Sequence, residues 1–183
     1  VTSADRNVTA SILSGPAGTL SGTTTVMAVS GVVTFTNIKI NLAGSDYILK
    51  FSTASDAETV SSSAFSVAVG TAAQLAITTQ PSGASGGTAF MTQPVVEVRD
   101  AGDNLLSTDD ETVVTASIYT GATGSELAGT LTKTAVDGVA TFTDLAIDIA
   151  SFGYRLKFSL SNGALVNSES FTVSVGTAAG LRI

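Results

Sequence analysis

The residues of this sequence best suited to chemistry are carboxylates that crowd one short segment, namely Asp100, Asp103, Asp109, Asp110 and Glu111. Carboxylate oxygens are the ligands that Ca²⁺ prefers, and calcium stabilises many extracellular modules. The string DAGDN nevertheless lacks the alternating ligand spacing of a calcium loop, and Asp and Asn are common turn formers. The segment therefore predicts ordinary turns and no cofactor, with a calcium site as the alternative.

The composition excludes several other kinds of chemistry. The sequence has no Cys and no His, which removes thiol chemistry, imidazole catalysis and the commonest transition-metal ligands. Its Ser residues have no His to activate them. The net charge is −7, and the eight Lys and Arg residues are scattered, so no basic patch for phosphates is expected. No apolar run approaches the ~20 residues of a membrane span. We therefore expect no enzyme, no nucleic-acid partner and no membrane insertion in this segment.

The sequence repeats itself with a long period. Four blocks recur at an offset of 106 or 107 residues: VTASI at 8–12 and 114–118, GVVTFTNIKI at 31–40 and GVATFTDLAI at 138–147, YILKFS at 47–52 and YRLKFS at 154–159, and GTAAQLAI at 70–77 and GTAAGLRI at 176–183. This period is the usual size of a β-sandwich domain.

The repeat predicts three parts of the chain. Residues 1–69 would form a module that lacks its first strands, residues 70–175 a complete module, and residues 176–183 the first strand of a following module. We therefore expect the chain to be a window cut from a longer tandem array.

Alternating apolar and polar residues predict strands throughout, and no stretch has a sustained helical period. In the complete module, the predicted strands lie near 73–79, 88–92, 94–99, 112–119, 128–136, 139–143, 153–160 and 169–175. Alternation places Tyr154, Leu156 and Phe158 inside, and it also buries Phe171, Val173 and Val175. Short antiparallel strands at this spacing favour a sandwich over a barrel.

Turn residues separate these strands. Ser30-Gly31 and Asp137-Gly138 each lie between alternating runs, as a two-residue hairpin turn requires. Gly102 is expected to adopt a positive φ in the RDAGDN reversal. The alternation changes phase after the Phe of FTNIKI and FTDLAI, which predicts a bulge or a single turn at Asn37 and Asp144.

These motifs resemble a known family. The string AITTQPSGASGGTAFMTQPVVEVRDAGDNLL, then GTLTKTAVDGVATFTDLAI, then a Gly-x-Tyr strand, is similar to the tandem immunoglobulin-like repeats of large bacterial surface proteins, the invasin and intimin type. The resemblance covers essentially the whole chain. It implies tandem immunoglobulin-like β-sandwich modules of about seven antiparallel strands in an extracellular stalk, adhesin or filament, without catalytic residues.

The resemblance also implies a structural role for two tyrosines. Tyr47 and Tyr154 stand where immunoglobulin-like folds place a tyrosine corner, near the start of the sixth strand. The paired Cys and core Trp of antibody domains are missing, so packing alone would hold the sheets together.

Two roles remain open for such modules. In the first, the chain is a structural repeat at the bacterial cell surface that stacks end to end on neighbouring modules, with hinge points at Gly70 and Gly176. In the second, it is an adhesin module that binds a glycan or a protein, with Tyr119 as the candidate exposed aromatic. If the chain is a whole subunit, the terminal GTAAGLRI would be a donor strand for another copy.

Overall fold

The computed structural model describes residues 6–53 and 58–176, and the predicted strand at 176–183 lies almost entirely outside them. The described residues contain strands and turns but no helix, so the all-β prediction is confirmed, and within them no helix is long and apolar enough to cross a membrane. The chain divides into a first unit, Val1–Gly70 with Ala101–Asn104, and a second unit, Thr71–Asp100 with Leu105–Ile183.

The first unit is built around one antiparallel sheet. Its strands are β1 (Asn7–Ser14), β2 (Leu20–Ser21), β3 (Thr25–Met27), β4 (Lys39–Ile40), β5 (Gly44–Thr53), β6 (Thr59–Ser61) and β7 (Phe65–Val67). The sheet has the order β3-β1-β5-β6, β7 also pairs with β5, and β2 pairs separately with β4.

The second unit repeats these strands and adds others. Its strands are β8 (Gln74–Thr79), β9 (Ala84–Ser85), β10 (Val95–Arg99), β11 (Val113–Thr120), β12 (Leu127–Ala128), β13 (Thr132–Thr134), β14 (Val139–Thr141), β15 (Ala146–Ile147), β16 (Ser151–Ser159), β17 (Leu165–Asn167) and β18 (Phe171–Ser174). One sheet has the order β13-β11-β16-β18-β9 with β17 on β16, a second has the order β14-β10-β8, and β12 pairs with β15. All of these pairs are antiparallel except β9 with β18, which is parallel.

The core of the second unit is apolar and continuous. The inward residues of β16 are fully buried as alternation predicts: Tyr154, Leu156 and Phe158. The ring of Phe158 packs on that of Phe142, with 5.3 Å between their centroids. Val96 and Val98 of β10 are also fully buried in this cluster. Apolar packing of this kind is the main favourable term in folding.

The equivalent core of the first unit is less well covered. Phe35 and Phe51 keep the same ring contact, at 5.4 Å, but both rings are only partly buried. Residues 32–34, the counterpart of β14, do not form a strand. In the second unit β14 pairs with β10, and the first unit has no counterpart of β10 among the described residues. Missing strand partners therefore explain the difference.

Both hairpin turns and both breaks in alternation follow the predictions. Ser30 and Gly31 have φ values of 51° and 80°, and Asp137 and Gly138 have 50° and 76°, as the favoured two-residue hairpin turn requires. Asn37 lies in a bend and Asp144 lies outside the strands, and buried Phe142 and Leu145 are three residues apart, so the alternation changes phase there.

Other predictions about the strands were wrong. No strand covers 88–92; instead Ala84–Ser85 forms β9, because the two glycines that follow turn the chain before Phe90. The predicted strand at 128–136 is split into β12 and β13. The short strands β15 and β17 were not predicted.

Two predictions for individual residues were also wrong. Val175 is 85% exposed. Strand β18 ends at Ser174, so no strand pairing directs the side chain of Val175 into the core. In the RDAGDN reversal the positive φ belongs to Asp103, at 70°, and not to Gly102. Asp and Asn tolerate this left-handed conformation better than most residues.

The two phenylalanine pairs allow a matched test of this difference in packing. Phe142→Ala should lower the free energy of unfolding of the second unit by about 3–5 kcal/mol, because it leaves a cavity in a closed core. Phe35→Ala should cost the first unit about 1–2 kcal/mol, because its ring is only partly removed from water. Hydrogen exchange of the β16 and β5 amides reports the two units separately. Equal losses of unfolding free energy from the two substitutions would contradict the difference in core coverage between the units.

Candidate functional site

The five carboxylates of the predicted calcium segment lie between strands, and Asp109 and Asp110 accept hydrogen bonds from backbone amides. Oδ1 of Asp109 accepts hydrogen bonds from the amides of Glu111 and Thr112, both at 3.0 Å. Oδ1 of Asp110 accepts one from the amide of Asp137 at 2.8 Å. These bonds are typical of Asx turns and hairpin supports.

The other three carboxylates do not complete a metal site with these two. Asp100 is buried, Asp103 occupies the left-handed position of its turn, and Glu111 is exposed. Among residues 6–53 and 58–176, no group of three or more acidic side chains is placed to hold a metal ion. The calcium site therefore stays a prediction that the geometry does not support.

The pKa of Asp109 lies below its ordinary value. Burial opposes its charge, but the Thr112 side chain and the backbone amides of Glu111 and Thr112 outweigh that effect. Hydrogen bonds to a carboxylate favour its charged form. Asp109 therefore acts as an anionic cap for its own loop.

Another residue that caps a backbone amide lies at equivalent positions of the two units. Asp144 accepts hydrogen bonds from the amide of Thr130 at 2.9 Å and from its hydroxyl at 2.7 Å. At the equivalent place, Asn37 accepts one from the amide of Thr23 at 2.9 Å and donates one to its hydroxyl at 3.1 Å. The change of phase in the alternation pointed to Asn37 and Asp144. It did not indicate that Thr23 and Thr130 are their hydrogen-bond partners.

Tyr47 and Tyr154 make the same hydrogen bond in the two units. Each ring is fully buried. The hydroxyl of Tyr47 donates to the carbonyl of Leu42 at 2.9 Å, and that of Tyr154 donates to the carbonyl of Ile149 at 2.8 Å. The bond spans five residues each time, so it ties the start of β5 or β16 to the segment that leads into it. A buried hydroxyl needs such a partner.

Each tyrosine ring also packs on a glycine. A Cβ at Gly121 would collide with the ring of Tyr154, and one at Gly15 would collide with the ring of Tyr47. Sequence reasoning missed these two glycines. The signal was present, because each follows the end of a repeated strand, β1 or β11, at equivalent positions in the repeat.

The two predicted hinge glycines lie outside the strands. Neither Gly70 nor Gly176 is among the glycines with positive φ. A Cβ at Gly176 would stand 2.9 Å from the carbonyl oxygen of Gly86, so the absence of a side chain there permits close packing. A hinge at either residue stays a prediction.

Two aromatic side chains are exposed on the second unit. Tyr119 is 53% exposed, as the adhesin alternative requires, and Phe152 is 83% exposed. Phe152 was missed because it shares the alternation phase of buried Tyr154. The pairing of β16 with β18 shifts register between Ser151 and Tyr154, which turns Phe152 outward. Gly153 within a strand was the signal for such a bulge.

The first unit contains an apolar groove that sequence reasoning also missed. Its volume is about 240 Å³. It is lined by six apolar residues and one lysine: Leu20, Ile38, Ile40, Leu49, Phe65, Val67 and Lys39. Phe65 is 37% exposed, although its ring lies 6.1 Å from that of Tyr47. We refer to this surface as the open groove.

No protein-family model matches this chain, and no match is found among curated proteins. The functional interpretation therefore depends on the geometry alone.

The buried tyrosine hydroxyls are expected to stabilise their units. Tyr154→Phe should lower the free energy of unfolding of the second unit by about 1–2 kcal/mol, because the carbonyl of Ile149 loses its buried donor. Tyr119→Phe is the matched control, since that hydroxyl is exposed, and should change the stability by less than about 0.5 kcal/mol. Urea unfolding measures both variants. Similar effects from the two would show that the buried bond contributes nothing.

The Asp144 cap predicts that the stability of the second unit depends on pH. Asn37, its counterpart in the first unit, does not ionise and cannot give such a dependence. The hydroxyl and amide of Thr130 hold the pKa of Asp144 below its ordinary value of 3.8. A lowered folded-state pKa adds stability above pH 3.8, and that contribution is lost as the pH falls through the folded value. The carboxyl carbon of Asp144, followed by NMR, should titrate with a midpoint below 3.8. Asp144→Asn, which resembles Asn37, should remove this dependence; a midpoint at or above 3.8 would refute the cap.

Proposed function

We propose that this chain is a non-catalytic structural repeat of an extracellular bacterial stalk, fibre or filament. In this proposal each unit is an immunoglobulin-like β-sandwich module, and modules of this type stack end to end along the fibre. The observation that carries it is one plan used twice: the same strands recur in both units, each closed by a buried Tyr bonded to a carbonyl five residues earlier. Repetition of one structural plan along a chain is the hallmark of tandem arrays.

Three features support the immunoglobulin-like assignment. The sheet that contains β10 and the sheet that contains β16 contribute to one apolar cluster. The tyrosine bond has the form of a tyrosine corner. The described part of the chain is all-β, with short strands joined by tight turns. The partners would be neighbouring modules of the same protein or other copies.

The ends of the second unit are suited to bear load along the chain. Strand β9, which follows the edge strand β8 in sequence, runs parallel to the last strand, β18, with Ala84 opposite Val173. The amide of Gly86 extends this pairing by donating to the carbonyl of Ser174 at 2.8 Å. Once tension has detached β8 from its antiparallel partner β10, it pulls β9 and β18 in opposite directions. Because these two strands are parallel, their hydrogen bonds are sheared together and not opened one by one.

Single-molecule stretching of the whole chain, held at its two ends, tests this role. The second unit should unfold last, at the higher force, with a gain in length of roughly 300 Å for its hundred or so residues. The first unit is the internal control, because among the described residues β7 pairs with β5 and has no parallel partner. If the second unit yields first or without a resolvable force, the load-bearing role is wrong.

The alternative is an adhesin module, and a specific observation favours it. Tyr119 and Phe152 are both exposed aromatics of the second unit, and exposed aromatics are common in recognition surfaces. A glycan array probed with the intact chain would test this role. Reproducible binding that is abolished by Tyr119→Ala or Phe152→Ala, with the fold retained, would favour the adhesin over the stalk.

A further inference from the structure

The sheet that contains β11 and β16 presents two cations on one face of the second unit. Lys157 of β16 lies opposite Ser117 of β11. The neighbours of Lys157 along the strand, Leu156 and Phe158, are fully buried, and successive residues of a strand point to opposite faces of the sheet. Lys157 therefore points away from the core, and Arg155, two residues earlier, does the same. We call this side of β11 and β16 the outer face.

A bulge in β11 brings an aromatic residue to the same place. The pairing moves from Ile118 opposite Leu156 to Thr120 opposite Arg155, so β11 has one extra residue, Tyr119, between these pairs. In such a bulge two residues of one strand oppose a single residue of the other. Tyr119 and Thr120 therefore both oppose Arg155. The side chain of Tyr119 is 53% exposed, so it is accessible beside the guanidinium.

The guanidinium of Arg155 is anchored at one end. Its Nε donates to the carbonyl of Ser168 at 3.1 Å. Ser168 is fully buried, and its hydroxyl accepts a hydrogen bond from the amide of Leu156 at 2.9 Å, so the anchor is itself held in place. In the described part of the chain, the two terminal nitrogens of Arg155 make no bond to a protein group. They form a planar fork that matches the two oxygens of a carboxylate.

No carboxylate of the protein neutralises these cations. The strands β11, β13, β16 and β17, as the structure delimits them, contain no Asp and no Glu, although the whole chain has 15 acidic residues and only eight basic ones. Within residues 6–53 and 58–176, neither Arg155 nor Lys157 forms a salt bridge, and Glu169, which follows the anchor Ser168, is not paired with Arg155. The outer face therefore has positive charge available for an external anion.

Hydroxyl groups form the next row of the outer face. Thr115 lies opposite Thr132 on one side and opposite Ser159 on the other. Residues directly opposite each other in antiparallel strands point to the same face. A hydroxyl both donates and accepts hydrogen bonds. This row, next to Lys157 and Ser117, is therefore suited to a ligand that itself carries many hydroxyls.

The first unit has the same backbone without the same side chains. Strand β1 has the equivalent bulge, with Leu13 at the place of Tyr119, and β5 has Ile48 at the place of Arg155. Of the three residues, only the lysine is kept, as Lys50. The fork and the aromatic ring thus occur together in the second unit, and the first unit is a natural control for their effect.

We propose that Arg155, Lys157 and Tyr119 form a binding site for a carboxylated sugar, the uronic acid residue of an acidic polysaccharide. The terminal nitrogens of Arg155 take the carboxylate in a bidentate pair. The ammonium of Lys157, about 7 Å farther along β16, adds a second positive charge. The ring of Tyr119 supplies a rigid surface with an apolar body and a polar tip, against which the sugar ring packs.

The charge of the whole protein favours a sugar over a dense polyanion. The chain has a net charge of −7, and a net charge of the same sign opposes the approach of a polyanion. Binding must therefore come from contacts at short range. A polymer with one carboxylate per sugar and hydroxyls between them uses the fork, the ring and the hydroxyl row together, whereas a polyphosphate uses only the two cations.

This site goes beyond the proposed stalk role and does not depend on it, because all of its residues belong to the second unit. The two can fail separately. A chain that resists force but binds no acidic sugar would leave the stalk standing and overturn the site. A chain that binds the sugar but yields at low force would do the reverse.

The test is an NMR titration of the full chain with an oligomer of galacturonic acid. The amides of Tyr119, Arg155 and Lys157 should shift, and those of Leu13 and Ile48 in the first unit should not. The methyl ester of the same oligomer is the matched ligand control, since it keeps the sugar rings and hydroxyls but has no charge. It should bind at least about tenfold more weakly, because a hydrogen bond to a charged group is worth more than one to a neutral group.

Substitutions separate the fork and the ring from simple charge. Arg155→Lys keeps the charge but loses the fork, so it should weaken binding of the acidic oligomer several-fold. Tyr119→Ala should also weaken it, whereas Tyr119→Phe, which keeps the ring, should not. Lys50→Gln is the matched protein control at the equivalent place in the first unit, and it should bind as the native chain does.

Three results would overturn the proposal. One is the absence of shifts in the second unit with the acidic oligomer. Another is equal binding of the methyl ester, which would show that the carboxylate is not recognised. The third is equally tight binding of inorganic polyphosphate, which would show a general site for anions. All three use the unaltered chain, so misfolding of a variant cannot explain them.

Discussion

The structure depends on one constraint: each apolar sheet face must be covered by strands from elsewhere in the sequence. The chain has no Cys, so no disulfide ties its sheets together, and burial of apolar surface must do so. In the second unit β10 provides the cover with Val96 and Val98, which lie in the same core as Phe142 and Phe158. The closed core and the strand β14 both belong to this arrangement.

The two copies of one sequence block show how far this constraint reaches. GVVTFT at 31–36 and GVATFT at 138–143 have nearly the same local preferences. In the second unit the block forms β14, because the amide of Val98 donates to the carbonyl of Gly138 and the amide of Phe142 donates to that of Pro94. In the first unit the block forms the same turn but no strand beyond its bridge at Val32. Whether this block forms a strand therefore depends on the presence of a partner strand and not on the sequence of the block itself.

The polar side chains that attract functional interest bond mostly to their own backbone. Asp109 and Asp144 cap nearby amides, and both have lowered pKa values. Tyr47 and Tyr154 bond to carbonyls five residues away. The two tyrosine hydroxyls, satisfied in this way, have little capacity left for a ligand. Unused capacity lies instead on apolar surfaces, at strand edges and at the cations of the outer face, and this directs attention away from metal chemistry.

The sequence by itself determined the local features: the all-β class, the repeat, the hairpin turns at Ser30-Gly31 and Asp137-Gly138, and the alternation that buries Tyr154. These depend on neighbouring residues, whose φ preferences and side-chain directions are intrinsic. Only the tertiary structure decided that Ala84–Ser85 and not 88–92 is a strand, that Phe152 turns outward, and that the carboxylates stay apart. Each of these depends on which distant backbone supplies the hydrogen bonds, and local periodicity does not carry that information.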